Sequence, residues 1–198
     1  MRKITEIILH CSATKEGANF HAKDIDQWHR NRGFNEIGYN FVIDLDGTIE
    51  KGRDLEKIPA HCTGHNKNSI GICYVGGLDN NGQPKDTRTD AQKESLYKLL
   101  DSLLDKYNLD IDNVYGHYQF ANKACPSFKI ETLRTEYKNW CNKTYKTNKP
   151  DKPDRLYLQW QSYRQFIIDK FGKATLDKLD MDIDVYLTDQ ALIHNTFV

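Results

Sequence analysis

The first apolar run, Ile4, Ile7, Ile8 and Leu9, is short and dense, and it ends at His10 before a polar turn, Ser12-Ala13-Thr14. A run of that length bounded by turn residues predicts a buried β-strand over 4–10 with His10 at its C-terminal end. Asp24 is placed to cap or open a helix over 25–31 that Gly33 closes. Ile25 and Trp28 share one face of that helix as core residues, and His29 beside them is expected to be packed. Apolar residues resume at Gly38–Asp44 as a second strand, and Asp46-Gly47 marks a hairpin turn into a return strand over 48–51. Residues 57–62 read as extended, with Pro59 limiting their hydrogen bonding. Ser69–Val75 is a nearly continuous apolar run and predicts a buried strand.

Beyond a Gly-, Asn-, Asp- and Pro-rich loop at 78–87, leucines recur at 96, 99, 100, 103 and 104, with Thr89 placed as an N-cap. That is the spacing of an amphipathic helix. A short strand over 113–117 and a helix over 130–142 follow. Alternating strands and helices predict an α/β fold, a mixed central β-sheet flanked by helices, occupying residues 1–142. The polar stretch 143–153, with Pro150 and Pro153, predicts a linker. Residues 154–198 return to helical spacing, for example Leu156, Tyr157, Trp160 and Tyr163, and predict a small α-helical C-terminal segment.

Composition narrows the function classes. The 198 residues suffice for one sizeable core, and 38% hydrophobic with 28% charged residues is a globular profile. Lys+Arg and Asp+Glu are both 28, so the basic excess of a nucleic-acid binder is missing and no such partner is expected. No apolar run reaches the roughly eighteen residues of a membrane span. The charged N-terminal stretch does not read as a secretory signal, so synthesis is expected in the cytoplasm. Five cysteines at 11, 62, 73, 125 and 141, odd in number and widely spaced, are expected to be reduced. Cys73 and Cys141 read as small buried hydrophobes.

Candidate chemistry concentrates in Gly116–Phe128, where His117, Lys123 and Cys125 fall within nine residues. Imidazole and thiolate suit a borderline-soft ion such as zinc, and a lysine two residues before the cysteine favours its thiolate. Catalytic zinc takes three protein ligands and leaves a fourth position open. His10, at the end of another strand, is the candidate third ligand. His61-Cys62-Thr63-Gly64-His65 is a rival cluster, but neighbours in an extended segment point to opposite faces, so His61 and Cys62 do not share an ion easily. The same rule lets only one of His10 and Cys11 face a site. On residue types alone, a structural histidine beside a buried cysteine is the competing explanation.

Six pieces occur in order along the chain: Ile8-Leu9-His10-Cys11-Ser12-Ala13-Thr14, Trp28-His29-Arg30-Asn31-Arg32-Gly33-Phe34, Ile37-Gly38-Tyr39-Asn40-Phe41-Val42-Ile43, the stretch from Gly64 to Gly71, Val75-Gly76-Gly77, and Gly116-His117 through Cys125-Pro126-Ser127-Phe128. Together they resemble the zinc-dependent N-acetylmuramoyl-L-alanine amidases of the phage T7 lysozyme and peptidoglycan-recognition-protein type, over residues 4–141. The resemblance implies a Zn2+ cofactor held by His10, His117 and Cys125, with Tyr39 and Lys123 in the two catalytic positions. It implies that His61 and Asn66 line a glycopeptide groove, less directly than it implies the ligands. The substrate implied is peptidoglycan, cut between N-acetylmuramic acid and L-alanine as in an endolysin. A monomer is expected, and the N-terminal stretch that does not read as a secretory signal fits either holin-type release to the wall or a cytoplasmic recycling or effector enzyme. The alternatives are a peptidoglycan-binding module without turnover and an inhibitor or interaction protein with residues 153–198 as its working surface. The residues leave open whether Tyr39 or Lys123 moves the proton, and the C-terminal segment has no recognised counterpart.

Overall fold

The computed structural model describes residues 2–146, and side chains as far as residue 144. The helices expected within 154–198 and most of the expected linker lie outside the described residues. The first unit, Met1–Asn142, is compact in itself.

In chain order the elements are β1 (Glu6–Cys11), β2 (Thr14–Lys15), α1 (Ala22–Asn31), β3 (Phe41–Ile43), β4 (Ile49–Lys51), β5 (Ser69–Tyr74), β6 (Gly77–Leu78), α2 (Asp90–Tyr107), β7 (Val114–Gly116) and α3 (Ile130–Lys146). Five strands form one sheet in the order β4-β3-β5-β1-β7. β1 runs parallel to β5 and β7, β3 runs parallel to β5, and β4 is antiparallel to β3, so the sheet is mixed as the pattern predicts. β2 and β6 add a two-stranded parallel ladder that no periodicity announces.

Alternation along the strands assigns two faces. Ile7, Leu9 and Cys11 of β1 and Ile70, Ile72 and Tyr74 of β5 join a core with Leu100 and Leu104 of α2 and Ile130 and Leu133 of α3. The other face carries Val42, Cys73 and Val75, covered by Ile25 of α1 and by Ile37. Trp28 packs against that second cluster, edge-on to Phe20 at 4.9 Å.

The element ends follow local chemistry. Thr89 caps α2 as expected, its hydroxyl accepting from the Gln92 N–H at 3.0 Å. Asp44 N–H donates to the Thr48 carbonyl across the hairpin, and Gly47 takes the φ of +87° that the turn requires. Two expectations are corrected. Asp24 is not the cap of α1: His21 is the N-cap residue, and Asp24 sits one turn in, its carboxylate accepting from the His21 N–H at 2.8 Å. Residues 57–62, expected to be extended, belong to no strand ladder; Asn66 Oδ1 accepts from the His61 and Cys62 N–H groups there. α3 continues through Lys146, four residues into the stretch expected to be linker, since 143–146 lack glycine and proline.

Candidate metal centre and active site

His10 lies near the C-terminal end of β1 and is 1% exposed. Its register partner on β5 is Cys73, so the imidazole shares the α1 face while Cys11 joins the opposite core. Leu9 pairs with Gly116 of β7, which brings His117, the next residue, alongside His10 with ring centroids 4.5 Å apart. Phe120 and Ala121 donate backbone N–H groups to the His117 carbonyl, and Tyr118 N–H donates to the Cys125 carbonyl at 2.8 Å. These bonds fold the loop back and bring Cys125 Sγ to 3.8 Å from His10 Nδ1. The Cys11 backbone N–H donates to the same sulfur at 3.3 Å. One donor atom from each of His10, His117 and Cys125 lies within 4.8 Å of the other two.

The electrostatics match a ligand set. Burial, then the neighbouring His61 and His117, hold His10 well below the ordinary imidazole pKa. Burial and Lys123 lower His117, and burial brings His61 down to about 3. All three rings are therefore neutral at neutral pH, the form in which imidazole binds metal. The adjoining Cys11 thiol and burial push Cys125 up, so it keeps its proton until a cation displaces it. The Cys11 contact and desolvation are the largest influences on this thiol.

Tyr39 faces the same space, its ring 5.0 Å from His10 and 5.2 Å from His29. Burial pushes its phenol well above the ordinary value, and its hydroxyl reaches the buried Cys73 thiol. His29 is packed, as expected, but it also accepts from the Gly38 N–H at 2.8 Å through Nδ1, which fixes the backbone just before Tyr39. Lys123 is exposed on the rim between two cavities. One, of about 470 Å³, is lined by His61, Asn66 and His117 among others; the second, of about 440 Å³, by Tyr118, Ser127 and Phe128 among others. Lys123 lines both.

The rival cluster separates. Cys62 is buried at 3% exposure, and His65 Nδ1 lies 2.9 Å from Glu6 Oε1 beneath the Phe120 ring. His61 lines the cavity, as expected, and also touches a candidate ligand: its Nδ1 is 2.9 Å from His10 Nε2, and its Nε2 is 3.1 Å from Ser69 Oγ. Gly71 makes room for this ring, since a Cβ there would stand 2.5 Å from His61 Cδ2. Asn66 also lines the cavity, but its Oδ1 accepts from the His61 and Cys62 N–H groups at 2.9 Å each. Sequence reasoning missed both contacts, because a non-repetitive turn carries no periodic signal for side-chain direction.

Comparisons with known proteins agree with this geometry. A family profile described as N-acetylmuramoyl-L-alanine amidase matches residues 1–128. The chain is similar to the endolysin of Escherichia phage T7, 45% identical over 125 residues that cover 63% of this chain and 82% of that protein. It is also similar to peptidoglycan-recognition protein SC2 of Drosophila simulans, 32% identical over 133 residues covering 66% and 69%. Among solved structures, the N-acetylmuramoyl-L-alanine amidase LysC from Clostridium intestinale matches with a TM-score of 0.59 at 29% identity, covering 68% of this chain and 85% of that one. A profile spanning most of the chain, endolysin relatives and an amidase fold with His10, His117 and Cys125 gathered at its strand ends lead to one conclusion: the chain belongs to the N-acetylmuramoyl-L-alanine amidase family.

Proposed function

We propose that His10, His117 and Cys125 hold a zinc ion and that Tyr39 and Lys123 work beside it in cutting the amide between N-acetylmuramic acid and L-alanine of peptidoglycan. The hydrolase class and the cell-wall substrate follow from the family and its endolysin members. The observation that carries the site assignment is the convergence of two neutral imidazoles and a thiol within 4.8 Å at the C-terminal ends of two adjacent strands. The donor set fits zinc, which favours nitrogen and sulfur ligands and keeps an open position when only three are protein groups.

When bound, zinc supplies Lewis acidity and a water acidified toward neutrality. The remaining steps belong to the chain. Lys123, on the rim beside His117, presents its ammonium to the carbonyl oxygen as negative charge builds there. Tyr39 keeps its proton because burial opposes the phenolate, so it acts as a hydrogen-bond donor and not as a base. Lys123, facing the water of the cavity, is the group placed to pass a proton to the leaving amine. His61 acts through His10. For His10 to ligate through Nδ1, the atom nearer Cys125, its proton sits on Nε2 and donates to His61 Nδ1. The His61 proton then sits on Nε2 and donates to Ser69 Oγ. This chain fixes the tautomer and aim of the buried ligand.

Synthesis in the cytoplasm, release by a holin-type pore and action as a monomer complete this reading. No described helix is long and apolar enough to cross a membrane. The experiment is digestion of purified sacculi with mass spectrometry of the products. Stem peptides with a free L-alanine amine and uncut glycan are expected; new reducing ends or cuts within the peptide would refute the bond assignment.

A further inference from the structure

A second group of metal-capable side chains lies away from this centre. His21 precedes α1, Asp44 follows β3 and Glu50 belongs to β4, and one donor atom of each lies within 4.8 Å of the other two. His21 Nδ1 stands 2.5 Å from Asp44 Oδ2 and 3.7 Å from Glu50 Oε1. Glu50 Oε2 accepts from the Ala22 N–H at 2.5 Å, leaving Oε1 turned to the cluster. Asp44 is 3% exposed, and its Oδ1 has no hydrogen-bond partner among the described residues. β5 separates β3 from β1 in the sheet, so the group stands two strand spacings, roughly 10 Å, from the β1 position of His10.

A simple ion pair accounts poorly for this arrangement. Two carboxylates face one imidazole, so even a protonated His21 leaves an excess negative charge. The imidazole hydrogen bond serves one oxygen of Asp44 and leaves the other buried and unmatched, which native structures rarely tolerate. Donor separations of 2.5 and 3.7 Å bracket the spacing of about 3.3 Å expected between atoms held about 2.0–2.2 Å from one zinc ion. A divalent cation also balances two carboxylates with a neutral imidazole. Lys23, a basic side chain that acts on His21, is exposed.

We propose that His21, Asp44 and Glu50 form a second divalent-cation site that takes zinc through one imidazole and two carboxylates. It has no thiol and no place in the hydrolysis. Its effect is mechanical, tying the first turn of α1 to the β3–β4 hairpin, and α1 is the helix whose His29 fixes the backbone before Tyr39.

The test is metal titration of the full chain after chelator treatment, read with zinc by competition and with cobalt(II) by absorption. Two equivalents are expected at metal concentrations comparable to the protein. One cobalt shows a thiolate charge-transfer band from Cys125, and the second shows only ligand-field bands. His21→Gln and Glu50→Gln, at partly exposed positions, should each remove the second equivalent and leave the thiolate band intact. Cys125→Ala should do the reverse. A single equivalent in the unmodified chain, or a second equivalent unchanged in both glutamine variants, overturns the proposal. Absence of the thiolate band would instead overturn the His10, His117 and Cys125 assignment, so the two failures are distinguishable.

Discussion

The two faces of the central sheet are built from alternate residues of the same strands and do different work. Toward α2 and α3, β1 and β5 present Ile7, Leu9, Ile70, Ile72 and Tyr74, all nearly sealed from solvent. Toward α1 the register-paired positions are His10 and Cys73, and Gly71 leaves space that His61 fills. Large aliphatic side chains would close that space, so the site face gives up packing to hold polar groups at fixed distances. A strand with period two can thus serve stability on one side and chemistry on the other. Substitutions should separate accordingly.

The largest separation is expected at Cys125. Cys125→Ala should reduce stem-peptide release to background while circular dichroism still reports a folded chain; residual turnover with zinc supplied would remove Cys125 from the ligand set. On the opposite face, Leu133→Ala should cost about 2–5 kcal/mol in denaturant unfolding, yet leave metal affinity unchanged in the folded protein. A simultaneous loss of metal would mean that the faces are coupled. Lys123→Ala should lower turnover about 10²–10³-fold with little change in stability or bound zinc, if the lysine acts only on developing charge. His61→Ala should weaken zinc binding about 10–100-fold, and His61→Asn, which returns an acceptor near the Nδ1 position, should recover part of it. Equal loss in both variants would make His61 a packing residue.

The remaining test is pH dependence. In the zinc-free chain, His10, His61 and His117 have folded-state pKa values below the ordinary 6.5, with His61 at about 3. The unfolded chain therefore takes up protons first as pH drops. The stability these neutral rings contribute is complete above 6.5 and is lost as pH falls through the interval toward 3. Denaturant midpoints that stay level across that interval would contradict neutral, buried imidazoles.

The features legible in the sequence were those with a period or a cap. The leucine stripe and Thr89 located α2, and the apolar runs located β1 and β5. His10, His117 and Cys125 were legible as chemistry, and the resemblance joined them as a set; the structure brings their donor atoms together. What escaped depends on contacts between distant segments. The β2–β6 ladder is two residues long on each side and has no alternation to read. Gln92, inside the α2 stripe, donates to the Ile43 and Val75 carbonyls at 3.0 and 2.9 Å and so closes the ends of two strands. His21 is a poor capping residue by type, and its partners Asp44 and Glu50 lie in a hairpin that sequence spacing does not place beside α1.

His10 and Cys125 are 115 residues apart along the chain, and their side chains meet. Seen as polymer geometry, an ion shared by the two is a reversible cross-link that closes most of the folded unit into one loop. A permanent cross-link around about 100 residues removes roughly 4.7 kcal/mol of denatured-state freedom in the chain-entropy account. An ion that binds only the folded arrangement supplies stability in proportion to its concentration over its dissociation constant. Zinc scarcity would then act on this protein twice, first by silencing the site and then by enlarging the population of open chains.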